Sequence, residues 1–303
     1  MKVKILSLLM FLTLCLGSFG QTRPRLVGGN PAGQLFPSVF LFSELRKNFT
    51  DYFCTASKIS PTQFLTSAHC VLLSDSKGWY FPETAKPGRR YFYSFERDLS
   101  QPVTVFSATI KQVNIHPLLH RCLQKGKYFP AQCKPTGVPS PDIAVVTVEQ
   151  EAGPFADAPA LPLDFTPNKP GDDIIMLGYG LQGNGDILPP LLKYSFSKVA
   201  TPEALSEVVK GTLAEHEGMP NEGLFFGTLG SLVDPSFPNL GSGDSGGPVL
   251  KDNPYRIVGV NSNAGCPEDA PSDCEKTTNS FFARIDSKAT ISVAEWLKSI
   301  VHH

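Results

Sequence analysis

The sequence predicts an all-β protein, a barrel or sandwich of short strands with one helix at its end, on three observations. Gly 26 and Pro 27 together make 53 of 303 residues, about a sixth against roughly an eighth in average usage, which favours tight turns over long helices. Short runs rich in Val, Ile, Phe and Tyr recur at 38–42, 64–66, 91–95, 103–110, 143–148, 174–177, 194–199 and 257–260, separated by Gly, Pro or Asn clusters. Val293, Ala294, Leu297, Ile300 and Val301 stand at helical spacing, so an amphipathic helix is expected over about 289–301.

Taken in order, the chain opens with Lys2 and Lys4, an apolar stretch from Ile5 to Leu16, and the small residues Gly17, Ser18 and Gly20. This is the pattern of a secretory signal peptide over 1–20, cut after Gly20. The apolar core is shorter than the roughly 20 residues that span a bilayer, and Leu14 before Cys15 is too large for lipid attachment. The protein is therefore expected outside the cell, or in the periplasm of a Gram-negative host. Losing Lys2 and Lys4 takes 27 basic residues to 25 against 28 acidic, a net charge of −3. The segment 151–172 holds five prolines and two glycines and reads as a connection between two halves. A second, weaker helix is expected over 202–210. No internal repeat is present, and no later stretch is apolar enough to cross a membrane.

Composition bounds the function. With 41% apolar and 18% charged residues the chain can bury one or two cores, and 21 Phe argue against disorder. A formal charge of −1 argues against a nucleic-acid binder. Seven cysteines are an odd number for an oxidising compartment. Cys15 leaves with the signal, and the even set Cys54, Cys70, Cys122, Cys133, Cys266 and Cys274 implies disulfides.

The sharpest chemical signal is Gly243-Asp244-Ser245-Gly246-Gly247-Pro248. Glycines around a serine let a substrate approach and leave backbone N–H groups free to face a developing oxyanion. The pattern also fits G-x-S-x-G, the nucleophile elbow of α/β-hydrolases, in which the histidine follows the serine. After Ser245 the histidines are His302 and His303 at the extreme end, a poor place for a general base. Upstream, Thr66-Ser67-Ala68-His69-Cys70 and Asp142-Ile143-Ala144-Val145-Val146 complete the order His, Asp, Ser.

These stretches resemble the trypsin-like serine proteases of the chymotrypsin fold (family S1). Arg25-Leu26-Val27-Gly28-Gly29 is similar to the family's activation site, Cys54 and Cys70 match its disulfide under the histidine loop, and Gly178-Tyr179-Gly180, Ser262 and Phe282-Ala283-Arg284-Ile285 extend the likeness from residue 26 to the end. The resemblance implies two antiparallel six-stranded β-barrels packed face to face, the first over about 26–150 and the second over about 170–286, with a C-terminal α-helix over 289–301. It implies a serine endopeptidase in which Ser245 attacks, His69 is the base and Asp142 orients it, with the N–H groups of Gly243 and Ser245 as the oxyanion hole. Ser262 is expected to support Asp142. Cleavage after Arg25 by a separate activating protease would discard 21–25 and free the Leu26 amine to pair with Asp244, whose buried carboxylate is expected to lack a partner beforehand. The other reading of the same motifs is a catalytically impaired homologue acting as a binding module.

The likeness thins at the substrate pocket. Asn239, six before the nucleophile, stands where trypsin-type members carry Asp, so no buried charge selects Arg or Lys. Gly241 replaces a cysteine, and Asn263 and Ala264 stand where Trp and Gly commonly form the opposite wall. Cys266 pairs most simply with Cys274 and Cys122 with Cys133, although four cysteines allow three connectivities. His116 and His120 are four apart, but no carboxylate cluster accompanies them, and His116-Pro117 has a family counterpart, so no metal is expected. His216, between two glutamates, reads as a loop residue, Asp172-Asp173 as a turn and Asn48-Phe49-Thr50 as a glycosylation sequon. The expected partner is a protein or peptide substrate met by a monomer, with no cofactor, no nucleic acid and no membrane after signal cleavage.

Overall fold

The structure, a computed structural model, describes residues 29–32, 34–43, 53–75, 78–80, 90–94, 106–121, 141–149, 154–180, 191–210, 221–231, 237–265, 277–288 and 292–302. Arg25, Leu26, Asn48, His216 and the cysteines at 122, 133, 266 and 274 lie outside the described residues, and the two disulfides expected of those cysteines with them.

The described residues form two curled antiparallel sheets with few and short helices. The first is a closed barrel of β2 (Val39–Ser43), β3 (Phe53–Lys58), β4 (Gln63–Thr66), β9 (Ala144–Val148), β8 (Phe106–Ile115) and β7 (Arg90–Ser94). A two-stranded ribbon, β5 (Leu73–Asp75) and β6 (Gly78–Tyr80), stands beside it. The second sheet departs from the expected six strands. It has seven, in the order β1 (Asn30–Pro31), β11 (Lys193–Lys198), β10 (Asp173–Gly178), β13 (Pro248–Lys251), β14 (Arg256–Gly265), β15 (Thr277–Arg284), β12 (Phe225–Ser231). The extra strand is β1, which comes from the N-terminal side and pairs Asn30 with Tyr194 and Pro31 with Lys193.

Each half wraps its own core, and a third apolar layer lies between them. Phe40, Phe42, Phe64, Ile110, Ala144 and Val146 fill the first barrel, and Ile174, Met176, Val249, Val258 and Phe282 pack in the second. The layer between takes Val39, Leu65, Ile143 and Val145 from the first half and Ile175, Leu177, Val260 and Phe281 from the second. β9 and the residue before it thus bury both faces, Ala144 and Val146 inward, Ile143 and Val145 outward. That explains a continuous apolar run where a half-buried strand would alternate.

Strands absent from the sequence expectation have a common cause. Phe53–Lys58, Phe225–Ser231 and Pro248–Lys251 are short or carry small and polar residues, and their conformation is set by sheet partners. The strand expected at 103–110 runs instead over Phe106–Ile115, with a bulge between Ile110 and Gln112.

The expected helices are present with trimmed ends. Pro202–Val209 is capped by Thr201, whose Oγ1 accepts the Ala204 N–H at 3.2 Å, and buries Leu205 and Val209. The C-terminal helix Val293–Ile300 buries Val293, Ala294 and Leu297. Gln63, buried in β4, donates to Ile300 O at 2.7 Å and accepts the His302 N–H at 2.8 Å, so it ties the end of this helix to the first barrel. The connection 151–172 is stitched to both halves. Leu161 N donates to Lys58 O at 2.8 Å, and Ile257 N to Pro162 O at 2.9 Å.

Candidate active site

The register of β4 against β9 brings the first two site residues together. Thr66 pairs with Ala144, so the chain leaving β4 and the chain entering β9 meet at one end of the barrel. His69 sits three residues past Thr66 in the single turn Ala68–Cys70. Asp142 sits two residues before Ala144. The expected Cys54–Cys70 disulfide is formed, with Cα atoms 6.1 Å apart, and fastens the turn to β3. Its two sulfurs are also the partners of His69 in the one candidate metal cluster among the described residues, and the bridge removes both as thiolate ligands.

Asp142 grips the histidine at two points. Its Oδ1 accepts the His69 backbone N–H at 2.9 Å, and its Oδ2 lies 2.7 Å from His69 Nδ1. Ser262 Oγ donates to the same Oδ2 at 2.7 Å. Burial alone would push the Asp142 carboxyl up. The opposing charge of His69 and the hydrogen bonds from His69 and Ser262 outweigh it, and the carboxyl is held below its ordinary 3.8. Ser262 reaches Asp142 because β14 bulges there. Asn261 pairs with Phe282 and Asn263 with Phe281, which leaves Ser262 as the extra residue. Ser262 therefore hydrogen-bonds to Asp142 from the bulge.

Ser245 arrives on the loop between β12 and β13, and two residues that sequence reasoning missed hold it. Thr55, buried in β3, donates its N–H to Ser245 O at 2.7 Å and its hydroxyl to Gly243 O at 3.0 Å, and accepts the Tyr179 N–H at 3.1 Å. Asn261 is the second. Its carbonyl accepts Ser67 Oγ at 2.6 Å and Gly246 N at 2.8 Å, so one oxygen joins the segment before His69 to the segment after Ser245. Its Nδ2 donates to Leu177 O and Asp244 O at 2.7 and 3.1 Å. A polar residue inside an otherwise apolar strand, as in Ile257-Val258-Gly259-Val260-Asn261, is the signal that could have found it.

The glycines around Ser245 follow from this contact between the halves. Gly243 and Gly246 have φ of +97° and +83°, and a Cβ on Gly246 would overlap Thr66 Oγ1 and Thr55 O. Among the described residues, the hydrogen bonds given above for this loop do not use the N–H groups of Gly243 and Ser245.

The Asp244 carboxylate has two backbone partners. It is fully buried, and it accepts Gly180 N at 2.7 Å on Oδ1 and Gly241 N at 2.8 Å on Oδ2. Burial pushes it up to about 6 even against those two bonds and the charge of Lys193. Asn239 is buried, and its Oδ1 accepts Ser280 Oγ at 2.6 Å while Ser280 Oγ accepts Leu240 N at 2.9 Å. Asn263 caps the following Ala264 N–H at 2.8 Å, and Ala264 packs on the core of the second half. His116 is engaged elsewhere, its ring 5.3 Å from Trp296 and its Nδ1 accepting Leu118 N at 3.3 Å.

The chain thus has two curled antiparallel sheets, with His69 and Asp142 on segments beside the first and Ser245 on a loop of the second. The family model described as the trypsin-like peptidase domain matches residues 54–260, more than half of the chain, a span that includes His69, Asp142 and Ser245. The chain belongs to this family of serine proteases. No curated protein matches the sequence.

Proposed function

We propose that the protein is a secreted serine endopeptidase that cleaves peptide bonds through an acyl-enzyme on Ser245. The observation that carries this reading is the shared carboxylate of Asp142, held by His69 Nδ1 and Ser262 Oγ, with Asn261 O tying the His69 segment to the Ser245 loop. With Nδ1–H directed at Asp142, His69 presents Nε2 as the acceptor. It takes the Ser245 proton as Oγ attacks the carbonyl and returns it to the leaving amine; water then releases the acyl group by the same steps. The N–H groups of Gly243 and Ser245 receive the oxyanion, each such donor being worth about 2.7–4 kcal/mol in the transition state. This chemistry uses no cofactor. A fluorophosphonate is expected to label Ser245, and no labelling after cleavage at Arg25 would leave the binding module as the reading.

In this reading residues 1–20 are removed on export and the bond after Arg25 is cut by another protease, giving a monomer that acts on protein or peptide substrates. Among the described residues no helix is long and apolar enough to cross a membrane. The placement of β1 supports the activation step. Leu26 is four residues before Asn30, an extended reach of roughly 14 Å, and β1 pairs with β11 at Lys193, whose charge acts on Asp244. Mass spectrometry of the fully active enzyme is expected to find Leu26 as its first residue, and full activity with the Arg25–Leu26 bond intact would refute the step.

Asn239 supports a substrate preference without a strong basic component. It is neutral and its Oδ1 is already taken by Ser280, so Asn239 itself offers no charge to an Arg or Lys side chain. Peptides varied at the cleaved residue are expected to show less than about a tenfold advantage in kcat/KM for Arg or Lys over apolar residues. A strong basic preference would show that another residue forms the pocket base.

A further inference from the structure

Asn261 is a fully buried polar residue that follows the apolar run Ile257-Val258-Gly259-Val260 on β14. Burying an amide there costs free energy unless its polar atoms are used, and an apolar side chain would fill the place without that cost. The amide is used on the loop that carries Ser245. Its Nδ2 donates to two backbone carbonyls, Leu177 O at 2.7 Å and Asp244 O at 3.1 Å. A carbonyl accepts and does not donate, so these two partners fix which end of the amide is nitrogen. The backbone leaves room for it. A Cβ on Gly247 would overlap Leu177 O and lie 2.8 Å from Asn261 Nδ2.

The effect of this bond is felt on the other side of the peptide. In a trans peptide the C=O and the N–H that follows it point in opposite directions, so fixing Asp244 O also fixes the direction of the Ser245 N–H. The neighbouring carbonyls are held as well, Gly243 O by Thr55 Oγ1 at 3.0 Å and Ser245 O by Thr55 N at 2.7 Å. Asp244 N donates to Gly241 O at 3.1 Å and Gly246 N to Asn261 O at 2.8 Å. Between them the Ser245 N–H points away from Asn261, and among the described residues these bonds leave it unused. Gly247 N also reaches Asp244 O, at 3.0 Å, but it belongs to the same loop and moves with it. Asn261 ties that carbonyl to a strand of the second sheet.

We propose that Asn261 is a positioning residue for oxyanion stabilisation, its amide holding the Asp244–Ser245 peptide so that the Ser245 N–H stays aimed at the carbonyl oxygen of a bound substrate. It touches neither the substrate nor the reacting atoms. This role rests on the reading of Ser245 as nucleophile.

Asn261→Leu, which keeps the branched shape and removes both donors, is compared with wild type after cleavage at Arg25. For a peptide substrate, kcat is expected to fall by about tenfold to a hundredfold with KM within about threefold. A peptide trifluoromethyl ketone reads the oxyanion directly, because Ser245 Oγ adds to the ketone carbon, gives its proton to His69 and leaves the ketone oxygen negative. Its binding is expected to weaken by a factor comparable to the loss in kcat, whereas a product peptide binds as before. The acid limb of the pH–rate profile is expected to stay in place, since His69 and Asp142 keep their bonds. A kcat within about threefold of wild type, a loss confined to KM, or unchanged ketone binding overturns the role.

A second measurement needs no variant. In the wild type the Asn261 Nδ2 hydrogens are expected to exchange with solvent at least about a hundredfold more slowly than those of an exposed asparagine, and fast exchange overturns the arrangement even where the Leu variant does not fold. A cut wild type that a fluorophosphonate does not label refutes Ser245 as nucleophile and this role with it, whereas a labelled wild type beside an unaffected Leu variant refutes Asn261 alone.

Discussion

Ser245→Ala is expected to lower kcat/KM by about 10⁶-fold and to abolish fluorophosphonate labelling, with the thermal midpoint within a few degrees of wild type. The size follows from the loss of the atom that forms the acyl bond in the proposed mechanism. The intact fold follows from what holds the loop, since Thr55 bonds to the carbonyl of Ser245 and to the carbonyl of Gly243, and Asn261 bonds to Gly246 and Asp244. None of these bonds uses the serine side chain. Peptide hydrolysis, labelling and circular dichroism on the same preparation check the three parts, and activity within a hundredfold of wild type would exclude Ser245 as the nucleophile.

Asp142→Asn is expected to lower kcat by about 10⁴-fold, mostly through the wrong histidine tautomer. Both carboxylate oxygens receive donors. Oδ1 takes the His69 backbone N–H, which cannot be removed, and Oδ2 takes His69 Nδ1 and Ser262 Oγ. An asparagine must place its NH₂ at one of these positions. Facing the backbone N–H, it would set donor against donor. The tolerated flip therefore turns NH₂ toward Nδ1, which sheds its hydrogen, and Nε2 then carries a proton and cannot accept one from Ser245. Activity within tenfold of wild type would refute this arrangement.

The same substitution has a signature in stability. The Asp142 carboxyl lies below its ordinary 3.8 in the folded chain, so the unfolded chain binds more protons as pH falls. The stabilisation from ionised Asp142 is fully present above about that ordinary value and is lost as pH falls through the lowered one. The gap in urea midpoint between wild type and Asp142→Asn is therefore expected to be steady above about pH 4–5 and to narrow below.

How far the sequence could be read depends on whether a feature is written locally. The helix Val293–Ile300 shows its buried stripe at helical spacing, and the Pro202–Val209 helix shows its Thr201 cap and following proline. Strands such as Ile174–Leu177 announce themselves by a short apolar run led by β-branched side chains. The motifs at His69, Asp142 and Ser245 are equally local, because a glycine required by a close backbone approach must be written as glycine. The Cys54–Cys70 bridge was legible through the same family pattern.

What the sequence left open are pairings between distant segments. Thr55 and Asn261 look like ordinary strand residues until β3 and β14 are laid against the serine loop. The bulge that aims Ser262 at Asp142 exists only in the register of β14 with β15. The move of β1 into the second sheet depends on a strand some 160 residues away in the sequence. Composition, motif order and helical periodicity were fixed by the chain itself, since each depends on residues within a few positions of one another. Partners for buried polar and charged groups were decided by the tertiary structure, because burial makes an unpartnered charge costly and only the packed fold determines which group stands opposite.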